Sequence, residues 1–295
     1  MSSLSGRPAR PTVSVVIGSN APPACLTACL RALAPQVDDG VEVLVFDGAG
    51  GAADVGRSFP WATVVAAPGQ LVPFHWRDGI DAATGEIVAL TIAQMLPAPD
   101  WIATMRAQHA EHDVVGGAID PGPGLRLRDW AEYFCRYARD MRPFTAGPNV
   151  DLAGDNATYA RSVLENMRDA YREGFWEPVA HRRLAERGVP LWHTPELVVE
   201  QGRSAGAGAF ARQRFAHGRL YGHQRGRHFG RGRNLVGVAA APVVPALMTY
   251  RVLARVFAKG RHRRRALLAL PGIVWFNVVW AFAEAAGHLD MLRRP

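Results

Sequence analysis

Three carboxylates stand where elements of structure begin or end. Asp47 closes the apolar run Glu42-Val-Leu-Val-Phe46 and opens a glycine-rich loop to Gly51. Asp155 lies between Gly154 and Asn156, and Glu177 lies in Trp176-Glu177-Pro178 at a helix start. A carboxylate at a strand end accepts N–H groups, either from a ligand or from the turn it begins. One at a helix start takes a proton from a hydroxyl within hydrogen-bond reach, or simply complements the helix dipole. Asp155 and Asn156 have the same double reading: they bind hydroxyls, or Asp155 caps a following helix. Other chemistries find no pattern. Cys25, Cys29 and Cys135 form neither a CxxC pair nor a disulfide framework, which points to a reducing compartment. His75, His109, His112, His181 and His193 lack metal-ligand spacing and read as surface or core residues. Gly206-Ala-Gly208 lacks the strand-to-helix context of a phosphate loop.

These residues need a scaffold, and the first hundred positions supply one. Val13–Ile17, Glu42–Phe46, Thr63–Ala66 and Glu86–Thr91 read as strands. Helical spacing fills 23–34 and Pro73–Ala83, and Pro97-Ala-Pro-Asp-Trp101 leads into a helix toward His109. The alternation predicts an α/β fold with a mostly parallel, doubly wound sheet. Ligands of such sheets lie at the strands' carboxyl ends, which gathers Gly18–Asn20, Asp47–Gly51 and Thr91–Leu96 around one site. Beyond residue 113 the pattern is less regular. It predicts a strand over Val114–Ile119, an amphipathic helix over 125–140, a helix from about Tyr159, another from Trp176 to Gly188, and a late strand over Pro190–Thr194.

The ordered series Pro11-Thr-Val-Ser-Val-Val-Ile17, Glu42 to Gly48, Arg77-Asp-Gly-Ile-Asp-Ala-Ala-Thr-Gly-Glu-Ile-Val-Ala-Leu90, Pro97 to Trp101, Gly154-Asp-Asn-Ala-Thr-Tyr-Ala-Arg161 and Gly174-Phe-Trp-Glu177 resembles the family 2 glycosyltransferases. The resemblance covers roughly residues 11–225. It implies a GT-A, Rossmann-like fold that binds a nucleotide-sugar donor. Asp47 would hold the nucleotide base, with Asn20 in the neighbouring loop and Arg77 facing the nucleotide. Asp155, Asn156 and Trp176 would lie on the acceptor side, and Glu177 would be the catalytic base of an inverting displacement.

One departure concerns the metal. The family carries an Asp-X-Asp-type cluster after the fourth strand, where hard Mg2+ or Mn2+ needs oxygen ligands. Here those positions hold Ile92, Ala93 and Gln94, and a family histidine after the late strand is Gln201. The expectation is a transferase without the usual metal site, with Gln94 still on the donor side. Arginines such as Arg203, Arg212 or Arg214 would neutralise the diphosphate instead.

Charge divides the 295 residues. Residues 1–200 carry 17 basic and 24 acidic side chains, whereas Gln201–Ala283 has no acid and 15 Arg or Lys. Two uncharged stretches, Leu235–Tyr250 and Ala266–Ala283, flank a basic run from Arg251 to Arg265. The second is only just long enough to span a bilayer. A spanning hairpin would place the basic run outside, against the positive-inside rule, so interfacial helices on anionic headgroups are expected. No apolar run precedes Val13, so the body is expected to stay on the side where it is made. The expected organisation is a disordered 1–10, a transferase domain over 11–225 and a membrane-associating tail over 226–295. The expected function is sugar transfer to a lipid-linked or cell-envelope polysaccharide acceptor at the cytoplasmic membrane face, with no nucleic-acid partner. The alternative is a degenerate, catalytically silent binding or scaffold protein of the same fold.

Overall fold

The computed structural model describes residues 12–202, 206–227 and 229–293. The expected disorder of 1–10 therefore falls outside the described residues. The chain forms two compact units. One comprises the residues up to Asp120 together with Arg142–Gly202, and the other comprises Pro121–Met141 with the residues after Gly202.

The first unit begins with β1 (Val13–Ser19), α1 (Pro23–Leu33), β2 (Val41–Asp47), α2 (Ala52–Ser58), β3 (Ala62–Ala66), α3 (Val72–Ala82), β4 (Ile87–Ile92), β5 (Met95–Pro97), α4 (Trp101–Gln108) and β6 (Val114–Pro121). α5 (Leu127–Tyr137) belongs to the second unit. β7 (Gly147–Asn149), β8 (Asn156–Ala160), α6 (Arg161–Glu165), α7 (Arg168–Tyr171), α8 (Glu177–Glu186) and β9 (Leu191–Gln201) complete the first. The strands form one sheet in the order β3-β2-β1-β4-β8-β6-β9-β5, with β7 on β9.

Half of this sheet is the expected one. β3, β2, β1 and β4 pair in parallel, and every residue of β1 is buried. That burial is what a continuous Val/Ile run covered on both faces produces. α3 lays Val72, Trp76, Gly79 and Ile80 toward the core at helical spacing. The other half is antiparallel: β8 runs against β4 and β6, and β9 pairs antiparallel with β5 and β7. The sheet is thus mixed. The helix expected from about Tyr159 is instead β8, and helix begins only at Arg161. β8 sits inside the sheet with Asn156–Tyr159 all buried, so it lacks the alternation that marks a half-exposed strand. The late strand runs on to Gln201.

The second unit joins α5 to α9 (Ala207–Arg227), α10 (Arg231–Ala239), α11 (Val244–Lys259) and α12 (Arg263–Leu292). α12 packs against all four of the others. Its core includes Tyr133, Phe134, Phe210, Val256, Ile273 and Phe276. α9 approaches α12 through Gly218, Gly222 and Gly226; a Cβ at 222 would stand 2.2 Å from the Glu284 carbonyl oxygen. The uncharged stretch 235–250 is broken between α10 and α11, which meet at 69°. The second unit thus takes in 121–141 as well as the residues after Gly202. α9 and α5 each bury a face against α12.

Candidate active site

The carboxyl edge of the parallel strands gathers the first group. Ser19 on β1 is paired in register with Asp47 on β2. Asp47 is only 2% exposed. Its Oδ1 accepts from the Ala49 N–H at 3.0 Å and its Oδ2 from the Gly51 N–H at 2.6 Å. It thus shapes the loop that it begins. A Cβ on Gly48 would stand 2.1 Å from Asn20 Oδ1 and 3.2 Å from His75 Cε1, so Asn20, Gly48 and His75 converge. Asn20 Nδ2 donates to the Gln70 carbonyl at 2.9 Å. His75 is fully buried on α3, with Nε2 3.3 Å from the Ala67 carbonyl and Nδ1 without a partner. Burial pushes its pKa down and favours the neutral ring; a proton on Nε2 for Ala67 leaves Nδ1 an acceptor. His75 does not read as a site residue from sequence. Its signal was its place one turn into the helix that follows β3. Arg77, on the same helix, donates from Nε to Asp78 at 2.7 Å and from Nη1 to the Arg172 carbonyl at 3.4 Å. These bonds fasten it to its neighbour on α3 and to the 172 loop.

The turn after β4 occupies the middle of this edge. Ile92 and Ala93 are buried, and the Ala93 N–H donates to the Gly18 carbonyl at 3.1 Å. The Gln94 carbonyl accepts from the Gly202 N–H at 2.7 Å, which seats Gln94 beside the end of β9. Gln201 there is 1% exposed. Ile92 and Ala93 offer no ligand, and Gln94 and Gln201 offer neutral amide oxygens only. Among the described residues no three His, Cys, Asp or Glu stand together in a metal-holding group. The residues at this turn do not fit the divalent ion of the resembled family. Nor does Arg214 serve as its replacement. It is buried in the second unit, donating to the Phe276 carbonyl at 3.1 Å and to Asn277 Oδ1 at 3.3 Å. Arg212 is exposed on α9, and Arg203 lies outside the described residues.

Trp76 links the edge to Glu177. Its Nε1 donates to the Thr91 carbonyl at 2.9 Å. The far edge of its indole lies 2.8 Å from where a Gly154 Cβ would be, and Glu177 Oε1 lies 2.7 Å from the same point. Only glycine leaves room there. The Gly154 N–H donates to Glu177 Oε1 at 3.3 Å, and Thr91 Oγ1 donates to the Asp155 carbonyl at 2.9 Å. The Glu177 carboxyl, on the first residue of α8, is pushed up from 4.5 to about 7, first by burial and then by the charges of Asp155 and Asp151. That value suits a group that takes a proton near neutral pH. Below Glu177, Asp151 Oδ1 meets His181 Nδ1 at 2.5 Å and His181 Nε2 meets the Tyr159 hydroxyl at 2.9 Å.

The acceptor-side residues divide. Asp155 is buried beside Glu177, and it precedes a strand, so it caps no helix. Trp176 is largely buried, its Nε1 donating to the Glu173 carbonyl at 3.0 Å. Asn156 is fully buried, donating to the Ala118 and Leu197 carbonyls at 2.9 Å each and accepting from Trp101 Nε1 at 2.9 Å. Its amide ties the sheet to α4 and presents nothing to an acceptor, because a side chain midway between two covered strands spends its polar atoms on them.

No family model matches the chain, and no curated protein matches it significantly. Among solved structures it is similar to the mannosyltransferase PcManGT from Pyrobaculum calidifontis, solved with GDP-Man and Mn2+. The identity is 20%, the match covers 95% of this chain and 87% of that one, and the TM-score is 0.57. The chain has a glycosyltransferase-like α/β fold, ending in an apolar helix.

Proposed function

We propose that this chain is a nucleotide-sugar-dependent glycosyltransferase of the family 2 type that transfers a hexose to a lipid-linked or polysaccharide acceptor at the cytoplasmic membrane face. The observation that carries the reading is the placement of Glu177 at the end of the sheet where such folds bind ligands. It is buried beside Asp155 and set with Trp76 against Gly154, whose N–H its carboxyl accepts; burial there raises its pKa to about 7. In the reaction an acceptor hydroxyl oxygen bonds to the donor's anomeric carbon. The bond from that carbon to the diphosphate breaks, the hydroxyl proton passes to Glu177, and a nucleoside diphosphate leaves. Asp47, Asn20 and His75 lie on the nucleotide side of this scheme, and Asp155 and Trp176 on the acceptor side. Because PcManGT was solved with GDP-Man, GDP-sugars are the first donors to test, and UDP-sugars the second. Release of GDP or UDP from a nucleotide sugar, abolished by Glu177→Gln, supports the proposal. Absence of release under every donor and metal condition refutes it.

Membrane attachment is supported by the second unit. α12 is 30 residues long and apolar enough to cross a bilayer by length and composition. Trp275 is 57% exposed, and Phe282, Leu267, Leu268 and Tyr250 are also exposed. The basic run Arg251–Arg265 spans the end of α11 and the start of α12. Apolar faces beside arginines suit an anionic interface. Flotation with anionic but not neutral vesicles supports it, and recovery in the unbound fraction with both refutes it. The degenerate reading draws on Ile92 and Ala93, and predicts nucleotide binding without turnover.

A further inference from the structure

Five buried side-chain nitrogen or oxygen atoms at one edge of the first unit have no hydrogen-bond partner among the described residues. They are Ser19 Oγ, Gln70 Oε1, His75 Nδ1 and both carboxamide atoms of Gln201. The backbone connects them. Ser19 follows Gly18, whose carbonyl holds Ala93, and Gln201 precedes Gly202, whose N–H holds Gln94. Ser19 and Gln201 therefore flank the two-residue turn where the resembled family keeps its metal ligands. On the other side of Ser19, the Gln70 backbone holds Asn20, and His75 lies against Gly48.

Buried polar atoms are normally satisfied, and each orphan is costly. These five lie along the same strand ends, and their chemistry says what would match them. Gln201 Nε2 and the Ser19 hydroxyl are donors, which phosphate oxygens need. Gln70 Oε1 and His75 Nδ1 are acceptors, which suit the N–H and O–H groups of a nucleoside. We infer that this edge holds the donor's diphosphate through neutral hydrogen bonds from Gln201 and Ser19, which stand in place of a divalent ion, with the nucleoside on the Gln70–His75 side. This rests on the proposed function and adds to it a metal-independent diphosphate subsite.

The test is isothermal titration of the full chain with GDP and with UDP, in EDTA and then in Mn2+. The expected result is that one of them binds in EDTA, and that Mn2+ changes its Kd less than threefold. Gln201→Leu, with its fold checked by circular dichroism, should weaken the diphosphate at least tenfold and the corresponding monophosphate less than threefold. Gln201→Glu keeps the side chain's size but sets a carboxylate against the diphosphate. It should weaken binding tenfold in EDTA and recover in Mn2+, and it carries the test, with Ser19→Ala, if the leucine variant fails to fold. A tenfold tightening of the unaltered chain by Mn2+, or a folded Gln201→Leu or Gln201→Glu that binds as the unaltered chain does, overturns the inference while leaving the glycosyltransferase reading intact. If neither nucleotide binds under any condition, both fall together.

Discussion

Replacing Glu177 with Gln should make this protein more stable at alkaline pH while disabling it. The carboxyl is raised from 4.5 to about 7 by burial beside Asp155 and Asp151. A group raised on folding holds its proton more tightly in the folded state. Its contribution to stability is therefore complete below about 4.5 and lost as pH rises toward 7. The displacement corresponds to about 3 kcal/mol of folding free energy withheld above pH 7. Gln keeps an acceptor for the Gly154 N–H but carries no charge, so it removes this cost. It also gives up a favourable charge at the α8 N-terminus, worth about 0.3–1 kcal/mol. The net expectation is a gain of about 2–3 kcal/mol at pH 8, shrinking to nothing near pH 4.5. Urea unfolding of both proteins at pH 5 and pH 8, followed by tryptophan fluorescence, reads it directly. In turnover, kcat/KM of the unaltered protein should rise through pH about 7 and level off above, and the variant should lose a factor of about 10²–10⁴. Equal stabilities at pH 8 would refute the claim that Glu177 is held near neutrality, and a variant with full activity would remove it as base.

Asp47→Ala frees the Ala49 and Gly51 amides, and should weaken GDP or UDP binding by about tenfold, measured by titration; unchanged affinity moves the nucleotide elsewhere. Asn156→Ala orphans two carbonyls and the Trp101 indole N–H, and should cost about 2–4 kcal/mol in urea unfolding. Gly154→Ala drives a methyl against Trp76 and Glu177, and should lower kcat far more than it lowers nucleotide affinity. Deleting 234–295 removes α11 and α12 from α5 and α9, and should leave an aggregating product on size-exclusion chromatography, not a soluble folded body.

The parallel half of the sheet was legible because its signals are local. β-branched runs that end in Gly or Asp and alternate with apolar-striped helices admit few other arrangements. That pattern also placed Asp47 and Asn20 at strand ends, whereas Glu177 was found from Trp-Glu-Pro at a helix start. The antiparallel half was not legible. Gly154-Asp155 is followed by residues that suit a helix start, and whether Asn156–Ala160 joins a sheet depends on partners far away in sequence. β5 is three residues long, below what periodicity can register. The arginines misled for a related reason. Within an acid-free basic segment Arg214 reads as a phosphate ligand, yet its spacing of four from Phe210 and from Gly218 puts all three on the buried face of α9. An amphipathic stripe announces that a helix has a partner. It does not announce which one, and the packing of α5 on α12 is therefore not legible from the helix's own residues.

That placement of α5 has a consequence for how the protein is made. Trp130, Tyr133, Phe134 and Tyr137 leave the ribosome about 125 residues before the first residue of α12, against which α5 packs. At about 5–20 residues per second, the delay is roughly 6 to 25 s. Throughout it the nascent chain carries an aromatic helix whose mate does not yet exist, attached to a first unit whose last strand, β9, also awaits synthesis for part of that time. The interval is long compared with helix formation, which takes microseconds. The aromatic face of α5 therefore stays without its partner until α12 is made.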